Sequence, residues 1–269
     1  MVARSSEEPV DYFEVPPAHS GLLTRTIKTT TVCIYGIGHL GSWAARTIAA
    51  LGVLDITVHD FDIVEERNIS GSVYEFNHIA DTKQNALHRL LHNVMKTPVE
   101  EFLTGRRQQS VGYAVRHQDC AFPYQTFNDF YILATDSAET RYRIAKTLFK
   151  HWDMCGHATM FNKMNPVIID LRSAGATLEI VTLPLLDRDL RERYLKNLKD
   201  MCNGEGGIPC NESNIPQVPL FESAILAQTI TSILRGIKRY YCYSGSLLEL
   251  NTYPIKIETE KFLPRLDVE

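Results

Sequence analysis

The chain has 269 residues, enough for one large domain with a full core, and its 28 Lys and Arg against 32 Asp and Glu leave a net charge of −4. That balance gives no electrostatic basis for binding nucleic acid or an anionic membrane surface, and basic pairs such as Arg106-Arg107 and Lys238-Arg239 read as solvated surface charge. The cysteines at 33, 120, 155, 202, 210 and 242 form no C-x-x-C pair, so neither a zinc ribbon nor a thioredoxin-like motif is indicated and no zinc is expected.

Residues 1–28 carry Pro9, Pro16 and Pro17 without a sustained period and read as an N-terminal arm that crosses the surface of a neighbour. Met1 to Asp11 is polar and acidic, unlike a signal peptide or a membrane anchor, so a cytoplasmic location with free thiols is expected. One domain is expected over 29–269. It opens with a strand at 29–36, a helix at 40–52 and a strand at 54–60, followed by an irregular stretch through Tyr74. Asp81-Thr82-Lys83 opens a helix whose Ala86, Leu87, Leu90 and Leu91 share one face. A short strand at 113–116, a buried strand at 129–134 ending in Thr135-Asp136, and a helix at 138–151 come next. Val, Ile and Thr content marks strands at 166–171 and 177–183, and four-residue spacing of Leu190, Tyr194 and Leu198 marks a helix over 187–200. A glycine-rich loop is expected at about 201–219, then a buried helix at 221–236 and one or two terminal strands within 247–262.

Two segments carry the chemistry. Val32-Cys33-Ile34-Tyr35 runs into Gly36-Ile37-Gly38-His39-Leu40-Gly41, an apolar strand passing through a glycine turn into a helix. Gly36 allows the tight turn, Gly38 lets a phosphate approach the backbone, and Gly41 permits close helix-on-strand packing. The amides of 38–42 then lie at a helix N-terminus, which favours an anion. About 20 residues on, Asp60 ends the second strand, where its carboxylate can reach a ribose hydroxyl. To this point a nicotinamide-dependent dehydrogenase fits as well as an ATP enzyme.

The residues that follow separate the two. Asp60-Phe61-Asp62-Ile63-Val64-Glu65-Glu66-Arg67-Asn68-Ile69, then Lys83, then Ala134-Thr135-Asp136 and Thr140-Arg141-Tyr142, resemble the ThiF/MoeB/HesA family of ubiquitin-activating-enzyme-like proteins. The resemblance covers about residues 30–145. A looser match through Asp170-Leu171-Arg172 and Pro209-Cys210 looks like the ThiF-type proteins of plasmids and phages. It implies an α/β fold with a Rossmann-like, mostly parallel sheet, helices on both faces and C-terminal antiparallel strands. It further implies ATP-dependent adenylation of a carboxylate, commonly the C-terminus of a small ubiquitin-like or sulfur-carrier-like protein or peptide, by a homodimer.

On that resemblance Gly36, Gly38, Gly41, Asp60, Asp62 and Asn68 bind nucleotide, Lys83 and Arg67 meet the phosphates, and Asp136 holds Mg²⁺. Cys210 is the residue to which an acyl group would pass. Arg141 either serves the site or braces the sheet edge. An arginine from the arm of a second subunit often completes the family's site; Arg4 is better placed for this than Arg25. Two departures stand out. Gly71 occupies the place of an arginine common in active members, whose loss can reduce rate on the order of 10³-fold, with Arg67 as a replacement. His39 stands where a small residue is usual, able either to contact a phosphate or to narrow the pocket. These departures leave open a non-catalytic ThiF-like scaffold that binds nucleotide or a partner protein, while a dehydrogenase leaves Asn68, Lys83 and Asp136 unexplained.

Overall fold

The computed structural model describes residues 27, 29–53, 55–95, 128–154, 166–204, 217–235 and 242–246. Its strands are β1 (Thr31–Tyr35), β2 (Asp55–His59), β3 (Phe130–Leu133), β4 (Val167–Ala174), β5 (Thr177–Pro184) and β6 (Cys242–Ser246), joined in one sheet of order β2-β1-β3-β4-β5-β6. The helices are α1 (His39–Ala50), α2 (Glu66–Ile69), α3 (Lys83–Met95), α4 (Ala138–Met154), α5 (Arg188–Cys202) and α6 (Gln217–Leu234). Strands β1 to β4 are parallel, and β5 and β6 return antiparallel. The fold is the α/β architecture expected from the sequence.

Strand side chains point alternately to the two faces, and the core divides accordingly. Val32, Ile34, Ile56, Val58, Ile132 and Ile169 pack with the apolar faces of α1, α3 and α6. Cys33, Tyr35, Tyr131, Leu133 and Ile168 face the other way, against Ile144, Leu148 and Trp152 of α4 and Tyr194 and Leu198 of α5. With both faces covered, β1 and β3 are buried almost throughout, as parallel strands are. Cys33 is therefore a packing residue, its thiol pushed up to about 12 by burial. No helix among the described residues is long and apolar enough to cross a membrane.

Several boundaries differ from the sequence reading. Helix α5 continues to Cys202 and ends at Asn203 and Gly204, whose φ of 77° suits a helix terminus. Helix α6 starts at Gln217, because a proline in the first turn, here Pro219, gives up no intrahelical hydrogen bond. The glycine-rich loop is thus shorter than 201–219 at both ends. Strand β4 extends to Ala174 because Arg172 and Ser173, polar residues that look like a strand end, are buried. It turns into β5 through Gly175 (φ 57°) and Ala176, a two-residue hairpin with glycine at its first central position. The stretch after β2 holds the single turn of α2 and a 3₁₀ turn at Phe76–His78. The strands expected at 113–116 and 247–262, and the arm except for Ile27, lie outside the described residues.

One group of buried polar residues converges on Asp170 in β4. Its carboxylate accepts hydrogen bonds from Arg141 of α4, from Arg172 Nε at 2.7 Å and from the Tyr194 hydroxyl at 2.8 Å. Arg172 also reaches Glu179 Oε2 at 2.8 Å and Asn197 Oδ1 at 3.1 Å. Burial alone would raise the Asp170 pKa, but the two guanidinium groups and the Tyr194 hydroxyl outweigh it and hold the carboxyl below the usual range. Asp170 therefore contributes stability that is present above the ordinary carboxyl pKa of about 4 and is lost as pH falls through its depressed value. Replacing Asp170 with Ala leaves two buried cations without their shared anion. It is expected to lower unfolding free energy by about 3–5 kcal/mol, measured by urea denaturation at neutral pH.

Candidate functional site

The site follows from the strand order. From β1 the chain steps to β2 on one side, while β3 lies on the other, so the carboxyl ends of β1 and β3 flank a topological switch point, where open α/β sheets bind ligands. Gly36 ends β1 with φ 82°. A methyl group on it would lie 2.8 Å from the Ala134 carbonyl oxygen and 2.9 Å from the Thr135 nitrogen, and one on Gly41 would lie 1.9 Å from the Gly36 carbonyl oxygen. Both glycines are thus required by backbone packing. Gly38 is different: a methyl group there would meet nothing within 4 Å. The N-terminus of α1, with Gly38 as its cap and no acidic side chain in its first turn, therefore opens onto free space bordered by unsatisfied amides.

Asp60, immediately beyond β2, fixes this turn. Its Oδ2 accepts from the Ile37 amide at 2.8 Å and its Oδ1 from the Asp62 amide at 2.9 Å. Lys83 opens α3 and is 6% exposed, with Nζ 2.7 Å from Asp62 Oδ2 and 3.8 Å from Asp60 Oδ2. The chain holds Lys83 here through main-chain bonds that pair 62–64 with 80–83, including Lys83 N to Asp62 O at 3.0 Å. Ala80 leads toward α3 with φ 71°, a conformation that suits few non-glycine residues. Tyr74 closes the floor, its hydroxyl donating to the Ile37 carbonyl at 2.7 Å.

The segment 65–73 lies along the first turns of α1. Asn68 Oδ1 accepts from the Glu65 amide at 2.9 Å and caps α2, which leaves its NH₂ donors for a ligand. The Arg67 guanidinium is 81% exposed and pairs with Glu65. Trp43 Nε1 donates to the Gly71 carbonyl at 3.1 Å, and the Val73 amide donates to Ser42 Oγ at 3.4 Å. His39 sits between these segments: one ring nitrogen bonds the Arg67 main chain, and the ring lies 3.1 Å from where a Gly71 side chain would begin. The ring therefore rests on Gly71, while the space over Gly38 stays open.

On the β3 side, the Ala134 amide donates to the Tyr35 carbonyl at 2.8 Å, which brings the 134–136 segment beside the glycine turn. Arg141, 1% exposed, donates to the Leu133 carbonyl at 3.3 Å, to the Thr135 carbonyl and to the Asp170 carboxylate. Of its two sequence roles, the structure gives it the bracing one. Asp136, next after Thr135, is exposed at this edge. Among the described residues no group of three or more His, Cys, Asp or Glu gathers to hold a metal. A single exposed carboxylate suits Mg²⁺, which takes most of its ligands from phosphate oxygens and water.

The structure thus brings Gly36, Gly38, Gly41, Asp60, Asp62 and Lys83 into one cluster, with Asn68 and the Asp136 segment at its borders. Arg67 directs its charge to Glu65, and Cys210, Arg4 and Arg25 lie outside the described residues. Trp43 and Tyr74 were not legible as site residues, because each acts through one hydrogen bond to a distant carbonyl and belongs to no spacing.

A profile of the ThiF family matches residues 16–164, more than half of the chain. Among solved structures, Escherichia coli MccB with ATP superposes with a TM-score of 0.55 at 13% identity, over 88% of this chain and 64% of that one. MccB with AMPCPP and MccA gives 0.56 at 13% identity, over 90% and 66%. PaaA gives 0.53 at 15% identity, over 83% and 62%. At these identities the likeness is one of fold, and this chain spans 62% to 66% of the length of those neighbours. No curated protein matches the sequence. The fold, the order of residues around the switch point and the matched profile together place the chain in one family: it belongs to the ThiF family.

Proposed function

We propose that the protein adenylates a carboxylate with ATP, the carboxylate being the C-terminus of a small ubiquitin-like protein or peptide. The observation that carries this reading is the open cradle over Gly38, at the amino end of α1, walled by Lys83 with its two aspartates and by the segment leading to Asp136. Similarity to MccB, whose structures include one with AMPCPP and MccA together, supports the pairing of a nucleotide with a second substrate.

In this reading the α1 amides and Lys83 receive the phosphates, Asp60 and Asp62 meet the ribose edge, and the Asn68 NH₂ reaches the phosphate side. Lys83 enters already oriented by Asp62, so its ammonium keeps donors for a phosphate oxygen without a search through rotamers. Asp136 would hold Mg²⁺, which supplies charge neutralisation on the phosphates. A carboxylate oxygen of the substrate attacks the α-phosphorus, the bond to the α–β bridging oxygen breaks, and pyrophosphate leaves with that electron pair, giving an acyl adenylate. Two anions must approach each other, so fixed donors aimed at the phosphates matter more here than a proton-transfer group. The homodimer, with the 1–28 arm of one protomer crossing the other, belongs to the same reading.

Asp136 is exposed, so its substitution leaves packing intact. With a carboxyl-terminal partner present, Asp136→Ala and Lys83→Ala are each expected to reduce ATP–pyrophosphate exchange by about 10²-fold or more while circular dichroism shows retained structure. Wild-type protein that binds Mg·ATP no better than these two substituted proteins would sink the adenylation reading. The glycines give a second check. Gly38→Val is expected to leave the melting temperature within a few degrees and abolish ATP binding by filling the open cradle, whereas Gly41→Ala is expected to prevent folding, seen as loss of soluble protein.

A further inference from the structure

We propose that His39 is a phosphate-binding residue in this chain: its imidazole takes up a proton as ATP binds and sets a cation beside the phosphates, over a space that Gly71 leaves for its ring. The proposal rests on the ATP reading above.

The two departures from the family pattern, His39 and Gly71, are in contact. Gly71 has no backbone need to be glycine, since its φ is not among the left-handed values, which among described glycines occur at 36, 52, 175 and 204. What would crowd a side chain there is the His39 ring, with three of its atoms at 3.1 Å from the point where a Cβ would stand, so the ring would have to give way by a few tenths of an ångström. An arginine at 71 and this ring at 39 therefore compete for one place. Trp43 holds the Gly71 carbonyl on one side of the ring, and the Arg67 main chain accepts a hydrogen bond from it on the other.

That bond also determines the chemistry of the ring. A carbonyl only accepts, so the nitrogen facing it carries the hydrogen and the neutral ring presents a lone pair at Nε2. Nε2 is buried and has no partner among the described residues, a costly state for a polar atom unless something else meets it. His39 follows Gly38 directly, next to the open cradle. A lone pair would repel a phosphate, whereas a proton on Nε2 turns the same atom into a charged donor. The groups acting on the ring favour a switch of this kind. Burial lowers its pKa, the Arg67 carbonyl opposes that, and Lys83, held by Asp60 and Asp62, lowers it further. An arriving polyphosphate offsets the Lys83 charge and favours the protonated ring, so binding and proton uptake are linked.

The free-state pKa lies below the ordinary value and binding raises it, so affinity is highest at low pH and weakens as pH rises through the window between the two. The test is titration calorimetry of Mg·ATP in buffers of different ionisation enthalpy, at about pH 6, 7 and 8, for wild type, His39→Gln and His39→Asn. ATP's own ionisation is common to all three proteins. Near pH 7, wild type is expected to take up more protons than either substituted protein, by about half a proton or more, and to lose about 10-fold more affinity than they do between pH 6 and 8. Equal proton uptake and parallel pH profiles in all three folded proteins, with ATP binding retained, would overturn the role of His39 and leave the ATP reading standing. Absence of Mg·ATP binding by wild type at every pH would overturn both. A structural filler role predicts a lower melting temperature for His39→Gln and His39→Asn but the same proton count. As an independent arm, Gly71→Arg alone is expected to weaken ATP binding by displacing the ring, and His39→Ala/Gly71→Arg to recover binding without pH-linked proton uptake. Failure of the doubly substituted protein to bind more tightly than His39→Ala would count against a shared place.

Discussion

The structure depends on the close approach of three pieces of backbone at Gly36, Gly41 and Ala134. A side chain at Gly41 would stand 1.9 Å from the Gly36 carbonyl, and one at Gly36 would stand 2.8 Å from that of Ala134. The absence of two methyl groups therefore lets α1 begin directly over the end of β1, with β3 alongside. Had either been present, the helix N-terminus and the Asp136 segment would be pushed apart and no cradle would form between them. The glycine most often linked with phosphate in such a turn, Gly38, is the one at which an added methyl group would meet nothing within 4 Å. Two glycines hold the turn together, and the third keeps it open.

Around this contact the charges are arranged in two anchored groups. Asp60 ties the glycine turn to the end of β2 through two backbone amides, and its neighbour Asp62 orients Lys83. A buried lysine is tolerated because both carboxylates stand beside it; Asp60 is satisfied by the two amides, and Asp62 is half exposed to water. On the other side, Asp170 holds Arg141, which holds the carbonyls of Leu133 and Thr135. The exposed Asp136 is thus carried on a segment fixed from below by a fully buried ion pair. Both flanks of the candidate site are thus tied down by hydrogen bonds within the fold itself.

His39 links these themes. The position that follows the open glycine carries a ring stacked over another glycine far along the chain, and that ring keeps a buried nitrogen without a partner. The contact places the two positions that depart from the sequence pattern of the family side by side.

Most of the element order, the parallel core and the family were legible in the amino-acid order, because they rest on local signals: apolar strands, helical spacing, a glycine turn and a fixed succession of polar residues after it; β6 at Cys242–Ser246 and the single turn of α2 were not among the elements expected. The same signals marked Gly36, Gly41, Asp60, Lys83 and Asp136 as positions of interest. They misjudged where α5 ends, where α6 begins, and the length of β4, because burial of Arg172 and acceptance of Pro219 are decided by neighbours rather than by the residues themselves. What each polar group does emerged with the packed fold alone. Arg67 turns to Glu65, Arg141 braces the β3 segment, Asp60 faces backbone amides, and His39 lies on Gly71. A side chain's partner is chosen by proximity across the fold, and contacts between residues far apart in the chain, such as His39 with Gly71, leave no trace in local spacing or periodicity.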